Sequence, residues 1–216
     1  AMLLFVAFFG VSEVSALDIT LYDWAFNIDG TLYEAINSDP LPSNINASGF
    51  YFQSGLGTVT ITSTGAGSHS LIAFFDHEID EATNTFFNEY GSVNGTPATG
   101  QSWEIDEPGY VFGNIYDNFK VGTLDNSNGV PNSAKDDVSM ALGWNFILGA
   151  GETAYLNLLL SETAPTSGFY LVQTDPDSQA SLYFSSTLVT KSSSVPEPGL
   201  LFLLATGLAG LFGFRR

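Results

Sequence analysis

From residue 138 the chain alternates. Val138, Met140, Leu142, Trp144 and Phe146 fall on one face of an extended segment, and Ser139, Ala141, Gly143 and Asn145 fall on the other. A period of two marks a strand with one apolar face. After a Gly149-Ala150-Gly151 turn the pattern resumes with Ala154, Leu156, Leu158 and Leu160. Two strands joined this way are expected to be neighbours in an antiparallel sheet. Their apolar face needs a second sheet to cover it. Upstream, Leu17–Tyr22, Trp24–Ile28, Thr31–Ala35, Gly49–Gln53, Leu56–Ser63, Ser68–Phe75 and Gln101–Asp106 read as strands. Downstream, Phe169–Thr174 and Ala180–Val189 add two more. Residues 115–121 predict a helical turn, and the Asn- and Asp-rich stretch from Asp125 to Asp137 a loop. About ten short strands, with turns roughly every 8–12 residues, predict an all-β antiparallel β-sandwich, immunoglobulin-like or jelly-roll.

Two stretches break this pattern, one at each end. Met2 to Val11 is an apolar run followed by Val14-Ser15-Ala16, a small-residue cleavage site. It predicts a signal peptide over residues 1–16, cut between Ala16 and Leu17. Residue 1 is alanine and no positive charge precedes the run, so a truncated start is expected. At the other end, Gly199 to Phe214 is apolar or small throughout, with Thr206 the one hydroxyl. As a helix it would span about 24 Å at roughly 1.5 Å per residue. That is slightly short of a bilayer core of roughly 30 Å, and thinning or flanking residues can make up the difference. Val195-Pro196-Glu197-Pro198 holds an extended strip before the helix, and Arg215-Arg216 is expected to stay cytoplasmic. The organisation is thus a signal peptide over 1–16, an ectodomain over 17–190, a linker over 191–194 and a tail over 195–216, with a transmembrane helix over 199–214.

This tail resembles the PEP-CTERM sorting signal of Gram-negative bacteria. The resemblance rests on Val195, Pro196, Glu197, Pro198, the short apolar helix and the pair Arg215 and Arg216, in that order. It implies processing by an exosortase, a transient hold in the inner membrane and delivery to the cell surface or outside the cell. It also implies a host that makes exopolysaccharide or biofilm, with exopolysaccharide as a possible partner. Phe74-Phe75-Asp76-His77-Glu78-Ile79-Asp80, Trp103-Glu104-Ile105-Asp106-Glu107-Pro108-Gly109 and Asp137-Val138-Ser139-Met140-Ala141-Leu142-Gly143-Trp144 resemble a recurrent group of PEP-CTERM ectodomains. That group carries no assigned activity.

Charge narrows the partners. The 216 residues carry a formal net charge of −18. Between the terminal signals the basic residues are Lys120, Lys135 and Lys191, with no arginine. Nucleic acid is excluded as a partner class, because neutralising phosphates needs a basic patch. There is no cysteine, so the fold holds without disulfides and thiol chemistry is excluded.

Clustered carboxylates point instead to a hard cation. Asp76, Glu78 and Asp80 share one side if their segment is extended, with His77 facing the other way, and such oxygens suit Ca²⁺. The segment is not an EF-hand, since Ala82 and Phe87 stand where a loop glycine and a bidentate glutamate are needed. Glu104, Asp106 and Glu107 form a second acidic cluster. Asp125, Asn126, Asn128, Asp136 and Asp137 form a third. Each has a plainer reading as solvated loop carboxylate. His69 and His77 lack a zinc spacing, and no Gly-x-Ser-x-Gly elbow occurs. The composition therefore favours a non-catalytic secreted surface protein. The alternatives are a Ca²⁺-dependent carbohydrate-binding module, with Trp103 and Trp24 as candidate sugar platforms, and a carbohydrate-active hydrolase using Glu78, Glu104 or Asp106.

Overall fold

The computed structural model describes residues 18–81 and 84–192. The expected signal peptide with its Ala16–Leu17 cut, and the tail residues Val195, Pro196, Glu197, Pro198, Arg215 and Arg216 with the helix over 199–214, lie outside the described residues. Among the described residues no helix is long and apolar enough to cross a membrane.

Among the described residues eleven strands form two antiparallel sheets. The first contains β1 (Ile19–Ile28), β2 (Thr31–Glu34), β5 (Gly67–Ile79), β7 (Gln101–Asp106) and β8 (Ser139–Leu148), in the order β2-β1-β5-β8-β7. The second contains β3 (Ile45–Tyr51), β4 (Leu56–Thr64), β6 (Tyr90–Asn94), β9 (Glu152–Ser161), β10 (Tyr170–Thr174) and β11 (Ser181–Ser192), in the order β3-β4-β9-β11-β10-β6. The one α-helix among the described residues, α1 (Ile115–Val121), follows β7. The sheets face each other as a β-sandwich around Phe26, Leu71, Phe75, Met140, Leu142, Leu156, Leu158 and Phe184, all of them buried. β11 runs to Ser192, two residues into the segment expected to be linker.

The two clearest alternating segments pair differently from expectation. β8 bonds to β5 and β7 in the first sheet, whereas β9 bonds to β4 and β11 in the second. The Gly149-Ala150-Gly151 turn therefore arches from one sheet to the other and does not close a hairpin. A hairpin would have put both apolar rows on one side of one sheet. The arch sets Leu142 and Trp144 against Leu156 and Leu158 in a single core, so each row covers the other.

The first sheet is buried on both faces at its centre. From Leu71 to Ile79 every residue of β5 is buried. Leu71, Ala73, Phe75 and Ile79 point into the sandwich, while Ile72 and Phe74 point out and pack under Phe119 and Ile115 of α1. The outward side of β8 supplies Ala141 to this second core, and Gly143 leaves room for the side chains of Ser102 and Ile72. The helix is tied down at its C-terminal end by Asn27, whose Nδ2 donates to the carbonyls of Phe119 (2.8 Å) and Lys120 (3.2 Å). Carbonyls at a helix end need such donors.

β1 reads in the sequence as two short strands because its alternation slips. The structure shows one strand with a bulge between Leu21 and Asp23. Leu21 packs with the inner core before the bulge, and Trp24, Phe26 and Ile28 do so after it. The extra residue, Tyr22, is turned out to solvent and Asp23 is set beside Asp76. Bulges commonly re-aim side chains next to sites.

Candidate functional site

The outward row of β5 changes character part-way along. After Ile72 and Phe74 come Asp76 and Glu78, on the same face by the two-residue repeat. Asp76 is 1% exposed and Glu78 5%. The register of β5 and β8 places Asp76 opposite Ser139. Continuing that register by two residues sets Asp137 beside Glu78. Ligand oxygens of Asp76, Glu78 and Asp137 all lie within 4.8 Å of one another. A strut on the inner side holds this arrangement. The Glu89 carboxylate accepts from the Ile79 N–H (3.0 Å) and bonds Gln173, and the Glu89 carbonyl accepts from the Asp136 N–H (3.0 Å).

These carboxylates floor a cavity of about 460 Å³. Glu81, Glu107 and Asp136 also line it. Its apolar lining includes Tyr22, Phe86, Phe87, Tyr110, Val111 and Phe112, every one of them exposed. Asp76 Oδ1, Glu78 Oε2 and Asp137 Oδ1 are buried without a hydrogen-bond partner. Among the described residues the ion pairs are His69–Asp29 and Lys120–Asp117, neither in this cavity. The electrostatic consequence is a strong pull on protons. Burial, then the charges of Asp137, Glu78, Asp23 and Glu89, holds the Asp76 carboxyl well above the usual carboxylate range. Burial, then Asp137 and Glu81, pushes Glu78 up to about 8. Burial, then Asp136 and Glu107, raises Asp137 to about 6. A charge left in such a place is costly unless a cation or a proton compensates it.

Asp80 does not join the group. β5 ends at Ile79, and Asp80 takes a left-handed φ of 58° while its N–H donates to the Asp18 carbonyl (2.7 Å). The alternation that aligns Asp76 with Glu78 is therefore lost one residue too early. Asp137, which sequence reasoning placed among loop residues, takes the third position. Its signal was its place two residues ahead of Ser139 on the alternating strand.

The other acidic clusters resolve into structure. Glu104 lies fully buried beneath α1, where it accepts from Asn118 Nδ2 (2.8 Å) and the Asp125 N–H (3.2 Å). Asp106 accepts from the Asn114 N–H (2.8 Å). Asp125 closes a turn on Ser127, Asn126 accepts from the Trp103 N–H, and Asn128 ties its loop to Gly91. From these clusters only Glu107, Asp136 and Asp137 reach the cavity.

The tryptophans serve the interior. Trp103 packs on Phe169 (5.9 Å between rings), Trp24 packs on Phe26 and Phe52, and Trp144 donates to Ser186 Oγ (2.9 Å). His77 faces inward, fully buried against Gly55, and burial lowers it to about 4. His69 contacts both Ser63 Oγ (3.0 Å) and Asp29 Oδ2 (2.9 Å), but through the same nitrogen, Nδ1, with Nε2 on the Gly65 carbonyl. A relay from carboxylate to hydroxyl needs opposite ring nitrogens.

Residues 194–216 match the family model of the PEP-CTERM protein-sorting motif. The tail is a PEP-CTERM protein-sorting motif. The motif implies exosortase-dependent processing and a secreted or cell-surface destination in a Gram-negative bacterium. It spans the tail and leaves the sandwich unassigned. No curated protein and no solved structure gives a match to the chain.

Proposed function

We propose that this PEP-CTERM protein is a non-catalytic module of the cell surface or extracellular matrix that binds a divalent cation, with Ca²⁺ preferred, on Asp76, Glu78 and Asp137. The observation that carries the reading is the set of three buried carboxylate oxygens, close together and without partners. Oxygen-only ligands suit hard cations, and Ca²⁺ tolerates irregular shells better than Mg²⁺. The sorting motif supplies the destination, and an extracellular matrix of exopolysaccharide is the setting where a cation-dependent binder would act. Titration calorimetry of the purified protein with Ca²⁺ tests the cation. Saturable binding that is lost in Asp76→Asn supports it, and no heat at millimolar Ca²⁺ rejects it. Intact mass of surface-extracted protein tests the sorting, since retention of Gly199–Arg216 would point to a permanent anchor.

The closeness of Asp76, Glu78 and Asp137, with Glu78 pushed up to about 8, fits one other reading. Retaining glycoside hydrolases hold two carboxyls about 5–5.5 Å apart, one of them kept protonated. Glu78 would be that acid. Hydrolysis of chromogenic glycosides that disappears in Glu78→Gln would replace the binding role with this one.

A further inference from the structure

We infer that the cavity takes a neutral glycan, two adjacent hydroxyls of which complete the coordination of a Ca²⁺ ion held by Asp76, Glu78 and Asp137. This rests on the cation reading proposed above and adds the ligand class.

Two observations meet in one place. The first is the pair Asp76 and Glu78, each more than nine-tenths buried, lining the cavity and carrying one oxygen without a partner. The second is the aromatic rim, which burial in the fold does not explain. Phe112 is 67% exposed, Phe87 55% and Tyr110 49%. A contiguous exposed apolar patch edged with polar groups marks an interaction surface.

Part of the rim is held in place by contacts of its own. Tyr110 donates to Asp23 Oδ2 (2.8 Å) and meets Tyr22 edge-on at 6.4 Å. Phe86 and Phe87 meet edge-on at 4.5 Å. Rigid aromatics lose little freedom on binding, which favours affinity.

Coordination arithmetic sets the ligand chemistry. Ca²⁺ takes about 6–8 oxygens. Asp76, Glu78 and the half-buried Asp137 would fill part of that shell and leave the rest to a ligand entering the cavity, whose lining is largely aromatic. A vicinal diol offers two oxygens at once, and the C–H face of its sugar ring suits aromatic stacking. Volume agrees, since about 460 Å³ falls within the common range for small-ligand sites. Charge selects neutral over anionic sugars. One dication leaves Glu81, Glu107 and Asp136 uncompensated in the lining, on a chain of net charge −18. A polyuronate would be repelled there.

The test uses the full chain, solubilised in a detergent without a sugar headgroup. Binding to mannan, galactan and dextran is measured in Ca²⁺ and in EDTA, with polygalacturonate as the anionic comparator. At least one neutral polymer should be retained in Ca²⁺ and released by EDTA. Phe112→Ala and Phe87→Ala should each weaken that retention by at least about tenfold, roughly 1.4 kcal/mol, with Ca²⁺ affinity kept. Asp76→Asn, or Glu78→Gln should the first misfold, should lose both. Ca²⁺ binding without retention of any neutral polymer overturns the inference and leaves the cation reading standing. Retention of polygalacturonate alone, or retention that survives EDTA, also overturns it. Absence of Ca²⁺ binding overturns both.

Discussion

Glu104 and Asp76 are both buried carboxylates on the outer face of the same sheet, yet they are treated in opposite ways. Glu104 sits under α1 with its oxygens met by Asn118 and the Asp125 N–H. Asp76 sits in an open cavity with Oδ1 unmet. Burial pushes both upward, but the donors around Glu104 pull back and leave it at about 6, whereas the neighbours of Asp76 are further acids. The fold can therefore satisfy a buried acid when the acid's task is to hold a helix. Where it leaves several together unsatisfied, stability is given up, as the proposed cation site would require.

The contrast can be broken at its structural half first. Phe119→Ala empties the core beneath α1 and should cost about 3–5 kcal/mol, with or without Ca²⁺. A thermal melt would show a fall of roughly 6–20 °C at about 2–4 °C per kcal/mol. At the other half, saturating Ca²⁺ at about 100 times its dissociation constant should add about 2.7 kcal/mol. The same melt reads this as a rise of roughly 5–11 °C, reversed by EDTA. No rise would place Asp76 in the same class as Glu104. The two acids can then be compared directly in EDTA. Glu104→Ala orphans two donors and should destabilise by about 2 kcal/mol. Asp76→Asn puts an amide donor among acids that lack one and should stabilise by about 1 kcal/mol. Equal losses in the two would erase the distinction.

A further effect is one of pH. Glu78 and Glu89 are pushed up to about 8, while in the unfolded chain each titrates near 4.5. The native state thus keeps protons that the unfolded state has released, so metal-free stability should fall as pH rises from 6.5 to 8. His77, lowered to about 4, acts in the opposite sense, but only between about 4 and 6.5. Denaturant melts across that upper window should show the decline, shallower in Glu89→Gln. A flat profile would mean these acids ionise freely in the folded protein.

Much of the sandwich was legible from periodicity, because alternation reports directly which side of a strand meets a core. It says nothing about which sheet the strand joins, and this is why β8 and β9 were expected side by side. Nor does one apolar row reveal a second cover. The small residue Ala141 on the outer side of β8 was the trace of α1 lying over it. Asp76 and Glu78 were visible as a pair because they continue a strand. Asp80 was misjudged since a single left-handed residue ends the repeat, and Asp137 was hidden because its neighbour in space is about sixty residues away in sequence. The aromatic rim comes from Tyr22 on a bulge, from the Phe86–Phe87 pair and from the loop carrying Tyr110 to Phe112. Nothing local to those residues announces that they converge.

β11 is an interior strand of the second sheet, paired with β9 from Tyr183 through Ser192 and with β10 on its other side. The sorting motif begins at residue 194. Tension applied from that end would enter the domain along the axis of a strand held by β9 over its whole C-terminal half and by β10 only from Ser181 to Ser185. The ladder would be strained lengthwise, with many bonds sharing the load at once, and not peeled open one bond at a time. A surface protein gripped there would be built to be pulled.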